Sequence, residues 1–186
     1  MTSCAADEFD KYRGYLRFLA RQHLRSRYQG KLDHSDIVQQ SLLSAFAARD
    51  QFVGQTEAER LAWLRQILVH TVARATRGML TQKRNINRER SIEADLNASS
   101  MRLRNFLASP ESSPSQAMVR EENVRMLAEA IERLPDDQRE VVELRYWSEM
   151  SVKQLSDKLG KSPAAIAGLL HRGTKTLRLL LGKQQT

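Results

Sequence analysis

The chain has 186 residues and carries 30 Lys and Arg against 22 Asp and Glu, and its net charge of +8 suggests a polyanionic partner. Hydrophobic residues make up 41% but aromatic residues only 6%, a mixture that favours helices packed on helices over a sheet sandwich. Apolar runs of four residues or fewer exclude a membrane span, and a lone Cys4 excludes an internal disulfide. We therefore expect an all-α, cytoplasmic protein without membrane insertion.

In the first half, apolar residues recur at three- and four-residue steps and predict three or more helices. The first covers about Phe9–Tyr28. The second begins at Asp33 or Ser35, since either side chain can cap exposed N–H groups, and ends near residue 50. Thr56 followed by Glu59 is a capping-box pattern, which predicts a third helix from there to about residue 76, or on to Arg84 if the helix tolerates Gly78.

Between residues 91 and 114 the periodicity fades, and six serines, two asparagines and two prolines occur. This composition is typical of a linker, which we expect to be mostly extended, with at most one short helical turn at Met101, Leu103, Phe106 and Leu107. The sequence therefore predicts two small helical domains, 1–90 and 118–186, joined by the linker 91–117. The positive charge lies mainly in the first domain, where residues 1–90 hold 16 basic and 9 acidic side chains.

The second domain has the pattern of a helix-turn-helix. Ser151 caps a short helix that ends at Gly160, and Ser162–Pro163 starts a longer helix. At about 100° per residue, one face of the longer helix lies opposite its apolar residues. That outer face carries Ala164, Gly168, His171, Arg172 and Lys175. Small residues near the helix start allow close approach to base edges, and the later cations suit phosphates. A solvated charged face on a small bundle is the other interpretation.

A basic helix in the first half is a second candidate for nucleic-acid binding. From Arg60 to Arg88 there are seven Lys or Arg and no acidic residue. Solvated helices usually mix charges, so this bias indicates a partner such as nucleic-acid phosphate. The candidate contacts to a strand are Trp63, Arg65, His70, Arg74 and Arg77. Trp63 also fits a core position, and His70 an ordinary surface position.

Several motifs follow in chain order: Asp36-Ile-Val-Gln-Gln40 with Phe46, Phe52-Val-Gly54, Leu61-Ala-Trp-Leu64, Leu134-Pro-Asp-Asp-Gln-Arg-Glu-Val-Val142, and Val152 to Leu177. Together they resemble the extracytoplasmic-function (ECF) branch of the sigma-70 family. The first resembles region 2.2, the next two resemble regions 2.3 and 2.4, and the last two resemble the opening and the helix-turn-helix of region 4. The stretch from Lys83-Arg84 to Glu93 is similar to a planctomycete-type subgroup.

The resemblance implies an alternative sigma factor that binds core RNA polymerase and directs initiation at promoters, without a cofactor and without enzymatic activity. The first domain would dock on the clamp helices of the largest polymerase subunit through Asp36, Gln39, Gln40, Leu43 and Phe46. The basic helix and the loop 54–59 would hold the single-stranded −10 element, with one base extruded into the loop.

The second domain would contact the polymerase flap and read the −35 element as duplex. The residues implied in −35 binding are Ser162, Ala164, Ala165, Gly168, His171, Arg172 and Lys175. The linker would thread toward the RNA exit path. An anti-sigma factor or another regulator would be a further partner.

The sequence departs from the family pattern at three positions. Relatives commonly carry Lys or Arg where Ala167 and Leu169 stand here, and Asn where His70 stands. The resemblance therefore implies a weaker duplex affinity that depends more on Arg172, Lys175 and Arg178, together with an unusual −10 preference.

Three other classes of protein are alternatives. A helix-turn-helix regulator acting without polymerase explains the second domain but leaves the basic helix unassigned. An RNA-binding or antitermination protein would also use cationic helices. A hydrolase or nuclease is disfavoured, because His23, His34, His70 and His171 lack metal-ligand spacing and no phosphate-binding glycine loop occurs.

Overall fold

The computed structural model describes residues 9–27, 32–77, 85–107 and 116–183, with only the backbone at 26–27, 85–88, 116–120 and 183. This part of the chain holds helices and no strand, which confirms the predicted all-α class. The helices are α1 (Arg13–Arg27), α2 (His34–Ala47), α3 (Glu57–Thr76), α4 (Asn85–Leu107), α5 (Gln116–Glu132), α6 (Asp136–Tyr146), α7 (Val152–Leu159) and α8 (Pro163–Lys183), with a 3₁₀ turn at Arg49–Gln51. The chain divides into two compact units, Met1–Arg125 and Met126–Thr186.

The helix starts of the first unit follow the predicted capping signals. Asp33 caps α2, and its carboxylate accepts a hydrogen bond from the Ser35 amide at 2.7 Å. Thr56 caps α3 in a full capping box with Glu59, as the sequence predicts. α3 then ends at residue 76, the nearer of the two predicted ends.

The core of the first unit lies between α1, α2, α3 and α4. The fully buried side chains include Tyr12, Tyr15, Leu16, Phe18, Leu19, Leu61, Leu64, Leu68, Ile92, Leu96 and Leu103. Polar side chains join the same helices, since the Tyr15 hydroxyl lies 3.0 Å from the Ser100 hydroxyl. Nδ1 of the buried His23 lies 3.1 Å from the Asp95 carboxylate. α4 is therefore an integral part of this bundle.

The expected extended linker is wrong for residues 91–107, which lie in α4. The inward face of α4 carries Ile92, Leu96, Ser99, Ser100 and Leu103, all of which are buried. These positions follow the three- and four-residue spacing of a helix, but two of them hold serine. A composition that counts serines as linker residues therefore hides the helix. The division between the two units also falls inside α5 and not at residue 117.

The second unit contains the predicted helix-turn-helix, formed by α7 and α8. Ser151 caps α7 in a capping box with Gln154, and Gly160 ends that helix with φ 63° in the left-handed region. α8 begins at Pro163, as the sequence predicts.

One apolar cluster in the core of this unit consists of Val141, Leu144, Leu155, Ile166 and Leu169. The absence of a side chain at Gly173 lets α8 approach α6 closely, because a Cβ there would lie 2.8 Å from the Val142 Cγ2.

Some predictions fall outside the described residues. Cys4 and the pair Lys83 and Arg84 lie there, so the planctomycete-type similarity stays a prediction. Within the described residues, none of the helices combines the length and the apolar character that crossing a membrane requires.

Candidate nucleic-acid and protein interfaces

One face of α2 gathers the five residues predicted to bind a protein partner. At 100° per residue, Asp36, Gln39, Gln40, Leu43 and Phe46 fall within an arc of about 120°. The first three are exposed, and Leu43 is 57% exposed although it is a large apolar residue. Phe46 is half-buried. The structure therefore presents carboxylate, amide and apolar groups side by side on one helix face.

A groove of about 480 Å³ lies beside this face. It is lined by Phe9, Asp10, Arg13, Gln39, Leu42, Leu43 and Phe46. The Arg49 guanidinium lies 4.6 Å from the centre of the Phe46 ring and donates to the Phe46 carbonyl oxygen at 3.1 Å, so this ring is held in place. An apolar groove with charged residues at its edge suits a helix of a partner protein. Phe9 and Arg13 were not among the predicted site residues.

A cationic face runs along α3. Trp63, His70, Arg74 and Arg77 lie within an arc of about 60° on this helix and at its C-terminal cap. His70, Arg74 and Arg77 are exposed, and Trp63 is half-buried. The helix carries no acidic residue after Glu59. The structure thus brings together four of the five residues predicted to contact a single strand.

Arg65, the fifth, does not join that face. It lies about 200° around the helix from Trp63. Its Nε donates to the Asn97 side-chain oxygen at 3.1 Å, and another guanidinium nitrogen donates to the Tyr15 hydroxyl at 2.8 Å. Arg65 therefore connects α3 to α1 and α4 inside the first unit. A count of cations along the sequence could not show this structural role of Arg65, although its angular position on the helix could.

An aromatic cluster precedes α3. The Phe52 ring centre lies 5.1 Å from that of Trp63, and the Arg60 guanidinium lies 4.9 Å from the Phe52 ring centre. The ring also rests against Gly54, where a Cβ would lie only 2.4 Å from Phe52 Cζ. Phe52 and Arg60 were not among the predicted site residues. The sequence signal available for Phe52 was an aromatic residue two positions before a glycine and close to the predicted start of a helix.

Glu59 fixes the rest of this loop. One of its carboxylate oxygens accepts hydrogen bonds from the amides of Gln55 and Thr56, both at 2.9 Å, and from the Thr56 hydroxyl at 2.8 Å. The Thr56 amide bond is the largest cause that holds the pKa of Glu59 below its usual range, followed by the Thr56 hydroxyl and the Gln55 amide. The segment 52–59 is therefore an ordered loop next to the cationic face of α3.

The second cationic face lies on α8. Ala164, Ala165, Gly168, His171, Arg172 and Lys175 fall within an arc of about 120°, opposite the buried Ile166. All six are exposed except Gly168, which is half-buried. Ser162 precedes the helix, and its hydroxyl accepts a hydrogen bond from the Ala165 amide at 3.2 Å.

An open depression of about 360 Å³ marks the start of this face. It is lined by Asp137, Lys161, Ser162, Ala164, Ala165, Gly168, Leu169 and Arg172. The small side chains that line it leave room for a base edge, and the Arg172 guanidinium in the same lining suits a phosphate. Asp137 was not among the predicted site residues.

The structure also explains one departure from the family pattern. Leu169 is only 5% exposed and belongs to the core of the second unit, so this position contributes packing and not charge. Ala167 is exposed. The expected reliance of duplex binding on Arg172, Lys175 and Arg178 stays a prediction.

Among the described residues, no group of three or more His, Cys, Asp or Glu is arranged to hold a metal ion.

Comparison with known proteins gives matches to one family. Residues 125–177 match the model described as Sigma-70, region 4. The chain is 29% identical over 143 residues to a probable RNA polymerase sigma factor, RfaY, of Xanthomonas campestris, covering 77% of this chain and 32% of the relative. It is 28% identical over 152 residues to the ECF RNA polymerase sigma factor SigL of Mycobacterium tuberculosis, covering 78% and 73%. The chain thus spans about a third of the Xanthomonas relative and nearly three quarters of the Mycobacterium relative.

Proposed function

We propose that this chain, a member of the ECF branch of the sigma-70 family, is an alternative sigma factor. In this role it binds core RNA polymerase and directs initiation at promoters. The observation that carries the proposal is the presence of two acid-free cationic helix faces, one in each compact unit. One face suits an unpaired strand and the other suits a duplex.

The α3 face and the loop 52–59 are proposed to hold the −10 element as a single strand. Arg74 and Arg77 would contact phosphates of the strand. His70, which precedes them on the same helix face, would contact a base. Extruding a base costs a few kcal/mol in lost stacking. Stacking on the Phe52 and Trp63 rings, with the Arg60 guanidinium against Phe52, is the means to offset that cost.

The α8 face is proposed to enter the major groove at the −35 element. Ala164, Ala165 and Gly168 carry little or no side chain, so the helix backbone can approach base edges. Arg172 and Lys175 follow on the same face and would contact phosphates, which position the helix without reading the sequence.

The α2 face is proposed to dock on the clamp helices of the largest polymerase subunit. Leu43 and Phe46 would enter an apolar contact along the groove beside α2, which lies next to exposed polar groups. Asp36 would pair with a basic residue of the partner, and Gln39 and Gln40 would supply hydrogen bonds. The polymerase flap is the expected partner of the second unit, and an anti-sigma factor is a further candidate.

A helix-turn-helix regulator that acts without polymerase is not favoured. Relatives named as RNA polymerase sigma factors align over 77% and 78% of this chain, beyond the helix-turn-helix alone. Such a regulator would also leave the α2 face and the α3 face without a role.

Capture of core polymerase by the immobilised chain tests the docking part of the proposal. The wild-type chain should retain core polymerase in raised salt, and the Asp36→Ala/Gln40→Ala variant should lose it. Arg172→Ala/Lys175→Ala is the matched control, since it removes two exposed polar residues from the other unit and should retain core polymerase. No capture by the wild-type chain would overturn the proposal.

A further inference from the structure

The start of α5 is bound to the first unit by charged side chains. Nε and Nη2 of Arg104, on α4, donate to the two carboxylate oxygens of Glu121 at 2.7 and 3.0 Å. Only 23% of the Arg104 side chain and 14% of the Glu121 side chain are exposed. A two-point pair between a guanidinium and a carboxylate has a defined geometry and is stronger than a bond between neutral groups. This pair therefore attaches α5 to α4 at one defined point.

Arg125, one turn further along α5, reaches the first residue of α3. Its Nε lies 3.6 Å from Oε1 of Glu57, and its Nη1 donates to the carbonyl oxygen of Lys11 at 3.4 Å. Oε2 of Glu57 accepts a hydrogen bond at 2.9 Å from the hydroxyl of Tyr12, which is fully buried. The Glu57 carboxylate is thus bound both by the core of the first unit and by α5. We call the two pairs, Arg104–Glu121 and Arg125–Glu57, the α5 latch.

Polar and charged groups line the cleft beside the α5 latch. This cleft has a volume of about 410 Å³, and its lining includes Gln55, Thr56 and Ala58 before and at the start of α3 and Glu121 and Glu122 on α5. Ion pairs at the edge of a water-accessible cleft stabilise a contact by much less than buried apolar area does, and salt weakens them further. The α5 latch can therefore open without unfolding the helices that it joins.

A closed α5 latch leaves no spare chain between the two units. Glu121 and Arg125 are bound to the first unit, and the second unit begins at the next residue, Met126. A protein that binds two separated sites with two units needs a length of chain that can span the distance between those sites. Once the latch opens, the residues between the end of α4 and Met126 can supply that length. The proposed binding of the −10 and −35 elements by separate units therefore requires an open latch.

We infer that the α5 latch is an autoinhibitory contact, which is closed in the free chain and opens when the chain assembles with core polymerase. The inference rests on the proposed function and adds its regulation. Only the open chain lets both units reach separate sites at once, so core polymerase binds the open chain more tightly and shifts the population toward it. In the closed chain, the carboxylates of Glu121 and Glu122 also line the cleft beside the loop 52–59 and repel the phosphates of a nucleic acid. The free chain is thereby kept from DNA until it has joined the polymerase.

The test follows one distance in the full chain, from α4 to α5. Cys4→Ser removes the native thiol, and nitroxide labels are attached to Ala98→Cys and Glu122→Cys, which are exposed positions outside the latch. Pulsed electron paramagnetic resonance gives the distribution of distances between the two labels, with and without core polymerase. Circular dichroism checks that each variant keeps its helices.

Three variants of the labelled chain alter the latch. Arg104→Glu places two carboxylates together, Glu121→Arg places two guanidinium groups together, and the double variant restores an opposite pair with the charges exchanged. The two single variants change the net charge in opposite directions, so a shared effect cannot come from net charge. Arg133→Glu is the matched control, because it breaks the pair of Arg133 with Glu129, which lies within the second unit and outside the latch.

The chain with an intact latch should give one short distance when free and longer distances when bound to core polymerase. Each single variant should raise the ratio of open to closed free chain roughly fivefold, which is the effect of losing one ion pair. Its apparent Kd for core polymerase should fall by up to the same factor, because a larger fraction of the chain is competent to bind. The charge-exchanged variant and Arg133→Glu should give the distances and the Kd of the intact latch.

A distance that stays the same when core polymerase binds the chain with the intact latch would overturn the inference, because the two pairs would then be structural. Single variants that keep the short distance in the free chain would also overturn it, since the pairs would not hold α5. Failure of the chain with the intact latch to bind core polymerase is a separate result, which would overturn the proposed function and the inference with it.

Discussion

Replacing Gly173 by Ala should destabilise the second unit, whereas the same change at Gly168 should stabilise it slightly. Both glycines lie inside α8, so both gain about 0.5–1 kcal/mol of helix propensity from alanine. At Gly173 the new Cβ would lie 2.8 Å from Val142 Cγ2 and 3.6 Å from Gln138 Cβ, within the contact of α8 with α6. Overpacking of this kind costs about 1–3 kcal/mol. At Gly168 the nearest atom is the end of the Arg172 guanidinium at 3.3 Å, which can move away.

The two variants should therefore differ by about 1–3 kcal/mol, or at least about 4 °C in Tm for a domain of this size. Thermal unfolding is followed by the fluorescence of Trp147, which is buried in the second unit, in a Trp63→Phe background. Gly168→Ala adds a methyl group to the outer face, so it should weaken −35 duplex binding while raising Tm. Gly173→Ala should lower Tm and, at temperatures below that Tm, leave −35 duplex binding unchanged, because Gly173 is buried against α6. Equal Tm values for the two variants would refute the close contact between α6 and α8.

Three further predictions concern the two cationic faces and the loop. Arg172→Ala with Lys175→Ala should reduce the slope of the log binding constant for the −35 duplex against log salt concentration by roughly two units, at about 0.9 per phosphate contact. An unchanged slope would exclude both residues as phosphate contacts. Arg74→Ala with Arg77→Ala should reduce promoter opening by holoenzyme while core capture stays intact. An equal loss of core capture would indicate that the C-terminal end of α3 has a structural role instead. Because hydrogen bonds lower the pKa of Glu59, its ionised carboxylate stabilises the start of α3. This stabilisation is fully present above the ordinary glutamate pKa and is lost as pH falls through the lowered pKa. Hydrogen-exchange protection of the Gln55 and Thr56 amides, relative to intrinsic rates, should therefore fall in acid, and Glu59→Gln should remove that pH dependence; equal acid sensitivity in the variant would assign the effect to another group.

Local rules predicted the helix boundaries well because capping is decided by neighbours in sequence. Thr56 with Glu59, Ser151 at α7 and Gly160 with its left-handed backbone all occur where the sequence places them. The arc of Asp36 to Phe46 on α2 also follows directly from helical spacing.

Features that depend on tertiary contacts could not be predicted from local sequence patterns. α4 was missed because Ser99 and Ser100 fill inward positions, and Ser100 becomes a suitable core residue only through its contact with the Tyr15 hydroxyl. Arg65 counted as one more cation in a basic helix, but its two hydrogen-bond partners come from α1 and α4. The position of the Phe52 ring depends on its contacts with Trp63 and Gly54, which no periodicity reveals.

Run-off transcription with purified core polymerase and a fragment library of the genome that encodes this chain shows whether the chain directs initiation. The chain should give discrete transcripts whose start sites share paired sequence elements upstream, and core polymerase alone should not. Arg74→Ala/Arg77→Ala and Arg172→Ala/Lys175→Ala should each weaken the same transcripts. Absence of any start site that depends on the chain, with active core polymerase, would contradict the account.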